Sequence, residues 1–371
     1  MTTTKPAPAH LHSVDLVRVL TVSLVISVHT VSQQPGGTGL TNGALLTVMH
    51  VSREVFFLLT AFVLCYSYRN RAPRSWPSFW RRRYWLIGVP YLVWSLIYFL
   101  ALGNGWAPGV FAREVLTGTA QYHLYFLLVS MQLYLVFPLL RWMLRATAGR
   151  HGVLLTAAVL YQVAAYAVLH ADALLVSYLG FVVAGGIAAS HADEFFALTR
   201  RHLSTILTGT AVVLAAGVGW VLVQVELLGR TTVTASEVFQ PMVAVESFAV
   251  GVSFLALGLA WQDRGTPGRR WIRGTADASF GVYLAHPLLL QGVLALSTAT
   301  GLTALATRSP GLLVTVIALL LVVPLVYLTC AAAVASIRRT PLSLPLTGHA
   351  RQVPEVVPVS PGGLRCERQT A

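Results

Sequence analysis

Charged side chains are scarce in this chain. They make up 11% of its 371 residues, whereas soluble domains carry about 25%. Hydrophobic residues account for 56%, and they are grouped in long runs, each close to the ~20 residues that cross a bilayer as a helix. This combination excludes an ordinary soluble enzyme and predicts an all-α, polytopic bundle of membrane helices.

Lysine and acidic residues are rarer still. The chain has 26 Lys and Arg against 13 Asp and Glu, and Lys5 is the one lysine. A net charge of +13 would suit a nucleic-acid partner, but the arginines cluster in short segments between apolar runs, as is typical of cytoplasmic loops. We therefore interpret the charge as a topology signal and expect no nucleic-acid partner.

Cysteine is also scarce, and its three positions, Cys65, Cys330 and Cys366, lie far apart in sequence. They form neither a CxxC pair nor a Cys/His ligand pattern, so the sequence predicts no disulfide framework and no metal site. The first 12 residues lack the basic segment, short apolar core and cleavage site of a signal peptide. We therefore expect the first apolar helix to remain in the mature protein.

About ten apolar segments are predicted to span the membrane, because each is closed by a Gly, Pro or charged break. Arginine-rich connections alternate with arginine-poor ones, which predicts that both termini lie in the cytoplasm of a multi-pass plasma-membrane protein. The predicted spans are 13–32, 43–67, 84–103, 122–142, 152–170, 173–190, 204–224, 238–261, 278–298 and 311–335.

The chain divides into one membrane domain and two short flanking segments. Residues 1–12 are predicted to be a cytoplasmic N-terminal segment, and residues 13–339 form the transmembrane domain. Residues 340–371 are rich in Pro, Gly and polar residues without periodicity, which predicts a disordered cytoplasmic tail.

Three ionisable residues fall within the first predicted span, in the pattern D-x-x-R-x(10)-H formed by Asp15, Arg18 and His29. Such residues are costly at membrane depth and therefore indicate a function or a specific partner. Asp15 and Arg18 are three positions apart, so they are neighbours on the helix and can form an ion pair. Arg18 and His29 are separated by about 16 Å and nearly three turns, so one cavity could contain both.

The chemistry of Arg18 and His29 suits group transfer to an alcohol. A neutral imidazole can accept a proton from a hydroxyl, and an arginine can bind a phosphate or a developing oxyanion. The structural alternatives are a snorkelling arginine at the membrane interface and a histidine that hydrogen-bonds a neighbouring helix.

A run of three arginines, Arg81, Arg82 and Arg83, precedes the third span and is flanked by tryptophans. One interpretation is a topology signal with an interfacial aromatic belt. The other is a docking site for a polyanionic cytosolic donor such as coenzyme A, because arginine binds phosphate oxygens bidentately.

Five short motifs follow one another along the chain. They are Arg18 and His29; Phe56 to Phe62; Pro90-Tyr91 with Trp94-Ser95; His123 to Leu127 with Tyr134 to Pro138; and Ser279 to Pro287. In this order they resemble the acyltransferase 3 family of membrane acyltransferases. Two positions depart from the family pattern. Thr60-Ala61 replaces Ser-Gly, so we expect less close backbone packing there, and Leu86 replaces the second arginine of R-x-x-R after Arg83.

The resemblance implies transfer of an acyl group, most often acetyl, from acyl-CoA to a hydroxyl of a sugar, a cell-surface glycan or a natural product such as a macrolide. It implies that His29 is the general base or a transient acyl acceptor, with Arg18 binding donor phosphate and Asp15 beside it. Acyl-CoA would be a substrate, and no permanently bound cofactor is expected.

Further residues are weaker candidates under the same resemblance. Arg81 to Arg83 would attract coenzyme A, and His123, Tyr283 and His286 would line the cavity. A competing hypothesis is an exporter of a lipid-linked sugar or small molecule. The acceptor and the oligomeric state stay open at this point.

Overall fold

The computed structural model contains only helices and connecting turns within the residues that it describes, which confirms the all-α prediction. The described residues are 12–34, 40–70, 73, 75–102, 107–169, 172–224, 239–306 and 311–352.

Fifteen α-helices and one 3-10 turn, Leu175–Tyr178, form within these ranges. In chain order the helices are α1 His12–Ser32, α2 Leu40–Met49, α3 Ser52–Ser67, α4 Trp76–Ala101, α5 Pro108–Thr117, α6 Tyr125–Ala146, α7 His151–Leu169, α8 Leu179–Ser190, α9 Ala192–Arg201, α10 Leu203–Leu222, α11 Phe239–Asp263, α12 Arg269–Ala299, α13 Leu302–Ala306, α14 Gly311–Ile337 and α15 Ser343–Thr347.

Fewer helices of the described residues have the length and composition of a membrane span than the ten that the sequence predicts. In the described part of the chain, seven helices are long and apolar enough to cross a membrane, or eight if the α8 region and α9, which meet at 92°, are one broken span. The predicted span 43–67 is divided between α2 and α3 at His50 and Val51. Just after this break, at the start of α3, Arg53 forms an ion pair of 3.1 Å with Asp172.

Helix α1 lies in the interior of the bundle. It packs against α11, α12 and α14 and also contacts α2 and α3. It approaches α11 closely, since a Cβ added at Gly258 would lie 2.6 Å from the carbonyl oxygen of Ser13. Small residues permit this packing, which stabilises helix pairs in a membrane. The helix that carries Arg18 and His29 is therefore surrounded by other helices on several sides.

Helices α3 and α8 also pack closely, although the sequence predicts looser packing at Thr60-Ala61. The glycine is supplied by the partner helix: a Cβ added at Gly185 would lie 2.2 Å from the carbonyl oxygen of Leu58. Ala61 is fully buried at this contact. The expectation of looser packing was therefore wrong, because Gly185 provides the space that the missing glycine would have provided.

The C-terminal segment 340–352 is ordered, and the prediction of disorder from residue 340 onward was wrong for these residues. Ser343 and Thr347 of α15 are fully buried, and the indole Nε1 of Trp94 donates a hydrogen bond of 3.1 Å to the carbonyl of Leu346. Helix α15 packs against α4, α12 and α14, which are distant in sequence, so the sequence pattern alone does not reveal this packing. The predicted tail beyond residue 352 and residues 1–11 lie outside the described residues.

We expect Gly185→Ala to destabilise the protein, because the new methyl group overlaps the backbone of α3. Overpacking of this kind costs about 1–3 kcal/mol. Gly209→Ala is the matched control, since a Cβ added there meets open space. Thermal unfolding in detergent measures both variants, and equal melting temperatures would contradict this account of the α3–α8 contact.

Candidate functional site

A cavity of about 360 Å³ lies between α1, α3, α4, α6 and α12, with the C-terminal segment forming part of its wall. Most of its wall is apolar, and its polar groups come from all five helices and the C-terminal segment. The polar lining residues are Arg18, Thr21, Thr60, Ser67, Arg83, Ser130, Tyr134, Asp277, Ser279, Tyr283 and His349.

One end of this cavity carries four ionisable groups, Arg18, Arg83, Asp277 and His349, and we call it the charged end. Arg18 is solvent-exposed, so the cavity opens here. Arg83 is held by aromatic rings, since its guanidinium carbon lies 5.3 Å from the centroid of Tyr134. Two arginines at an opening are suited to binding phosphate groups.

Only one member of the predicted arginine run lines the cavity. Arg83 does so, whereas Arg81 and Arg82 are solvent-exposed and are not lining residues. Consecutive helical residues point about 100° apart, so three adjacent arginines cannot face one cavity. Any contribution of Arg81 and Arg82 is therefore to the surface charge around the opening.

The inner end of the cavity is closed by aromatic rings, which we call the aromatic floor. The rings of Phe56 and Tyr283 are nearly parallel, with centroids 6.4 Å apart. The Tyr283 hydroxyl donates a hydrogen bond to the carbonyl of His123, which fixes the ring in place. The floor therefore joins α3 and α12 to the turn that precedes α6.

Three histidines meet behind the aromatic floor. His286 lies between the other two, with ring centroids 5.4 Å from His29 and 5.3 Å from His123. The ring of Tyr283 is 5.2 Å from that of His123 and 5.9 Å from that of His286. The structure thus brings together His29 and all three residues, His123, Tyr283 and His286, that the sequence proposed as cavity-lining, although only Tyr283 lines the cavity itself.

Several nitrogens of this histidine cluster have open hydrogen-bonding capacity. His286 Nδ1 lies 2.7 Å from the carbonyl of Tyr283 and must therefore carry a proton. Its Nε2 and both ring nitrogens of His123 are buried without a hydrogen-bond partner among the described residues. Buried polar atoms without a partner are costly. A polar ligand or water at the cluster would relieve this cost.

His29 lies at the opposite end of α1 from Arg18 and faces a different environment. Its ring is partly exposed and lies 4.3 Å from the ring of Tyr122. Gln33 Nε2 donates a hydrogen bond of 3.2 Å to the Tyr122 hydroxyl. His29 can therefore be reached from the end of the bundle that lies away from the charged end.

The prediction that one cavity holds Arg18 and His29 was wrong for this structure. Arg18 lines the cavity, but His29 does not, because Tyr283 and His286 lie between them. The predicted Asp15–Arg18 pair also does not form. Asp15 is buried and its carboxylate lies 3.9 Å from His12 Nδ1, whereas Arg18 faces the opening of the cavity.

Two residues of the charged end, Asp277 and His349, were not found from the sequence. His349 belongs to the segment that was predicted to be disordered. A signal was present just before it, since Leu342-Ser343-Leu344-Pro345-Leu346-Thr347-Gly348 places apolar residues ahead of a glycine that can end a helix. Gly348 indeed follows α15 with φ of 68°.

The sequence of the chain was compared with models of known protein families. A family model described as an acyltransferase domain, Acyl_transf_3, matches residues 11–331. The chain belongs to the acyltransferase 3 family. Its helices and family membership make it a membrane protein with acyltransferase activity. Comparison with curated proteins and with solved structures found no significant match.

We expect Thr60→Trp to remove most of the acyltransferase activity while the protein stays folded, because the indole would fill the cavity between α3 and α12. Leu320→Trp is the control, since Leu320 is 68% exposed on α14 and faces away from the cavity. Activity and melting temperature are measured on both variants. Full activity of Thr60→Trp would show that the cavity is not part of the active site.

Proposed function

We propose that this protein transfers an acetyl group from acetyl-CoA to a hydroxyl of a sugar, a cell-surface glycan or a natural product at the plasma membrane. The observation that carries the proposal is the arrangement of one cavity and one histidine cluster, which meet at Tyr283. The cavity is cationic at its opening and apolar within. The histidine cluster adjoins the cavity, because Tyr283 of the cavity wall contacts His123 and His286.

The charged end is suited to the phosphate-bearing part of acetyl-CoA. Arg18 and Arg83 line the opening from two different helices, so they can bind phosphate oxygens from two directions. The inner wall, with Leu59, Leu127 and Phe56, is apolar and suits the pantetheine arm and the small acetyl group. The sequence predicts that this end faces the cytosol, where acetyl-CoA is supplied.

The acceptor would reach the site from the opposite end. His29 is partly exposed there, beside Tyr122 and Gln33, which offer hydroxyl and amide groups to a polar molecule. Hydroxyl, amide and aromatic groups are typical of a site that binds a carbohydrate or an oxygen-rich natural product. Donor and acceptor would therefore meet from opposite ends of α1.

In the proposed reaction, His29 accepts the proton of the acceptor hydroxyl as the oxygen attacks the thioester carbonyl. The new bond joins oxygen to the acyl carbon, the carbon–sulfur bond breaks, and the coenzyme A thiolate leaves. The proton then passes from His29 to the thiolate, so the base is regenerated. His29 does not line the cavity, and it is connected to Tyr283 of the cavity wall through His286, so the Tyr283 ring must move aside when both substrates are bound.

We expect His29→Ala to lower the acyl-transfer rate about 10²–10⁴-fold, which is typical for the loss of a general base. His202→Ala is the matched control, because His202 is exposed at the junction of α9 and α10. Membranes supplied with radiolabelled acetyl-CoA and an extract of candidate acceptors provide the assay. Full transfer by His29→Ala would rule out its proposed role.

We expect Arg18→Ala to raise the KM for acetyl-CoA about ten- to hundredfold, since hydrogen bonds to charged groups contribute about 1.5–3 kcal/mol. The control is Arg201→Ala, an exposed arginine of α9 that does not line the cavity. An unchanged KM together with a lower melting temperature would assign Arg18 a structural role instead.

A further inference from the structure

The C-terminal segment 340–352 closes one side of the cavity at its charged end. Helix α15 packs against α4, α12 and α14, and the Ser343 hydroxyl donates a hydrogen bond of 2.7 Å to the carbonyl of His349. The Gln352 backbone N–H donates one of 2.8 Å to the carbonyl of Arg338. The family match ends at residue 331, so it does not extend to this segment.

Gly348 sets the position of the segment against the cavity wall. Its φ is 68°, a conformation that favours glycine. A Cβ added there would lie 2.4 Å from the ring of Phe280 and 2.9 Å from the carbonyl oxygen of Leu86. The chain therefore passes tightly between α4 and α12, and His349 follows at the cavity wall.

The hydrogen bonding of His349 leaves one ring nitrogen available. Nδ1 lies 2.8 Å from the carbonyl of Thr347, so Nδ1 carries a proton and donates it there. Nε2 is therefore the nitrogen that remains for a ligand. It is an acceptor when the ring is neutral and a donor when the ring is protonated.

The charged groups around His349 come from four helices. Arg18 of α1 and Arg83 of α4 line the same cavity, as does Asp277 of α12, and Arg338 at the end of α14 adds a further positive charge. Burial lowers the pKa of His349 below 6.5, and Arg338 and Arg18 lower it further, while the hydrogen bond to the Thr347 carbonyl and the charge of Asp277 oppose them. Without a ligand the ring is thus neutral at pH 7.

We propose that His349 is a donor-binding residue whose Nε2–H binds a phosphate group of the acyl donor, together with Arg18 and Arg83. An anionic phosphate would offset the positive charges of Arg338 and Arg18, which add to burial in favouring the neutral ring. Binding at neutral pH would therefore transfer one proton from solvent to Nε2, and dissociation would release it. This inference rests on the proposed function, because it takes acyl-CoA as the donor.

The sign of the pH dependence follows from this proton uptake. The free protein has a lowered pKa at His349, and the bound phosphate raises it. Affinity for the phosphate is then greatest below the pKa of the free protein and falls as pH rises toward that of the complex, by up to about tenfold per pH unit. The 3′-phosphate of coenzyme A loses its second proton near pH 6, so this ionisation also changes the affinity in the same pH range. A variant without the imidazole separates the two effects.

The test is calorimetric titration of the purified full chain with coenzyme A between pH 5.5 and 8.5, in buffers of different ionisation enthalpy. We expect the wild type to take up close to one more proton than His349→Gln near pH 7, and to bind coenzyme A about tenfold more tightly than His349→Gln at pH 6. Pantetheine, which lacks phosphate groups, should bind both proteins equally.

The outcomes separate the two proposals. If the wild type binds coenzyme A but His349→Gln matches it in affinity and proton uptake, the assignment of His349 is wrong while the donor site stands. If the wild type does not bind coenzyme A, the proposed function fails as well. A loss of pantetheine binding in His349→Gln would show a structural defect and would also overturn the phosphate assignment.

A second variant tests the docking of the segment without changing His349. Gly348→Ala is expected to displace residues 340–352 and to weaken coenzyme A binding to the level of His349→Gln. Gly301→Ala is the matched control, because Gly301 has a similar φ of 76° but open space around it. Equal coenzyme A affinity for Gly348→Ala and Gly301→Ala would contradict a role of the docked segment.

Discussion

The burial of α1 inside the bundle is the constraint on which the rest of the structure depends. A membrane helix that carries Asp15, Arg18 and His29 is stable only if other helices cover it and its polar groups find partners or water. Packing against α11, α12 and α14 provides this cover. The same packing fixes Arg18 at one end of the helix and His29 at the other, so a single rigid element determines the separation of the two ends of the site.

The aromatic floor divides this site into two compartments. Phe56 and Tyr283 line the cavity. Tyr283 also contacts His123 and His286 of the histidine cluster and donates a hydrogen bond to the carbonyl of His123. A closed floor would keep water and acceptor away from a bound thioester and so would limit hydrolysis. The same ring contacts His286, which contacts His29. Movement of Tyr283 would thus couple donor binding to the acceptor side.

Much of the fold was predictable because long apolar runs directly indicate helices that are embedded in lipid. The predicted spans that contain Arg18 and Tyr134 agree with α1 and α6 to within four residues, whereas α12, which contains Tyr283, begins nine residues before its predicted span. Composition could not show that the second predicted span divides into α2 and α3, nor that Arg53 reaches Asp172, since that pair joins residues distant in sequence. The helix periodicity predicts a common face for Arg18 and His29, but it could not show that Arg18 lines the cavity while His29 contacts His286 outside it. His349 was missed because its segment becomes ordered only through contacts with α4 and α12.

The most direct test of this account is a cryo-electron microscopy structure of the full-length protein with acetyl-CoA bound. The account predicts phosphate density between Arg18 and Arg83, and pantetheine density that runs along the apolar wall to Tyr283. The thioester should lie next to the Tyr283 ring, on the side of the ring that faces His286 and His29. Density for the nucleotide beside His29 and Tyr122, or outside the cavity altogether, would contradict it.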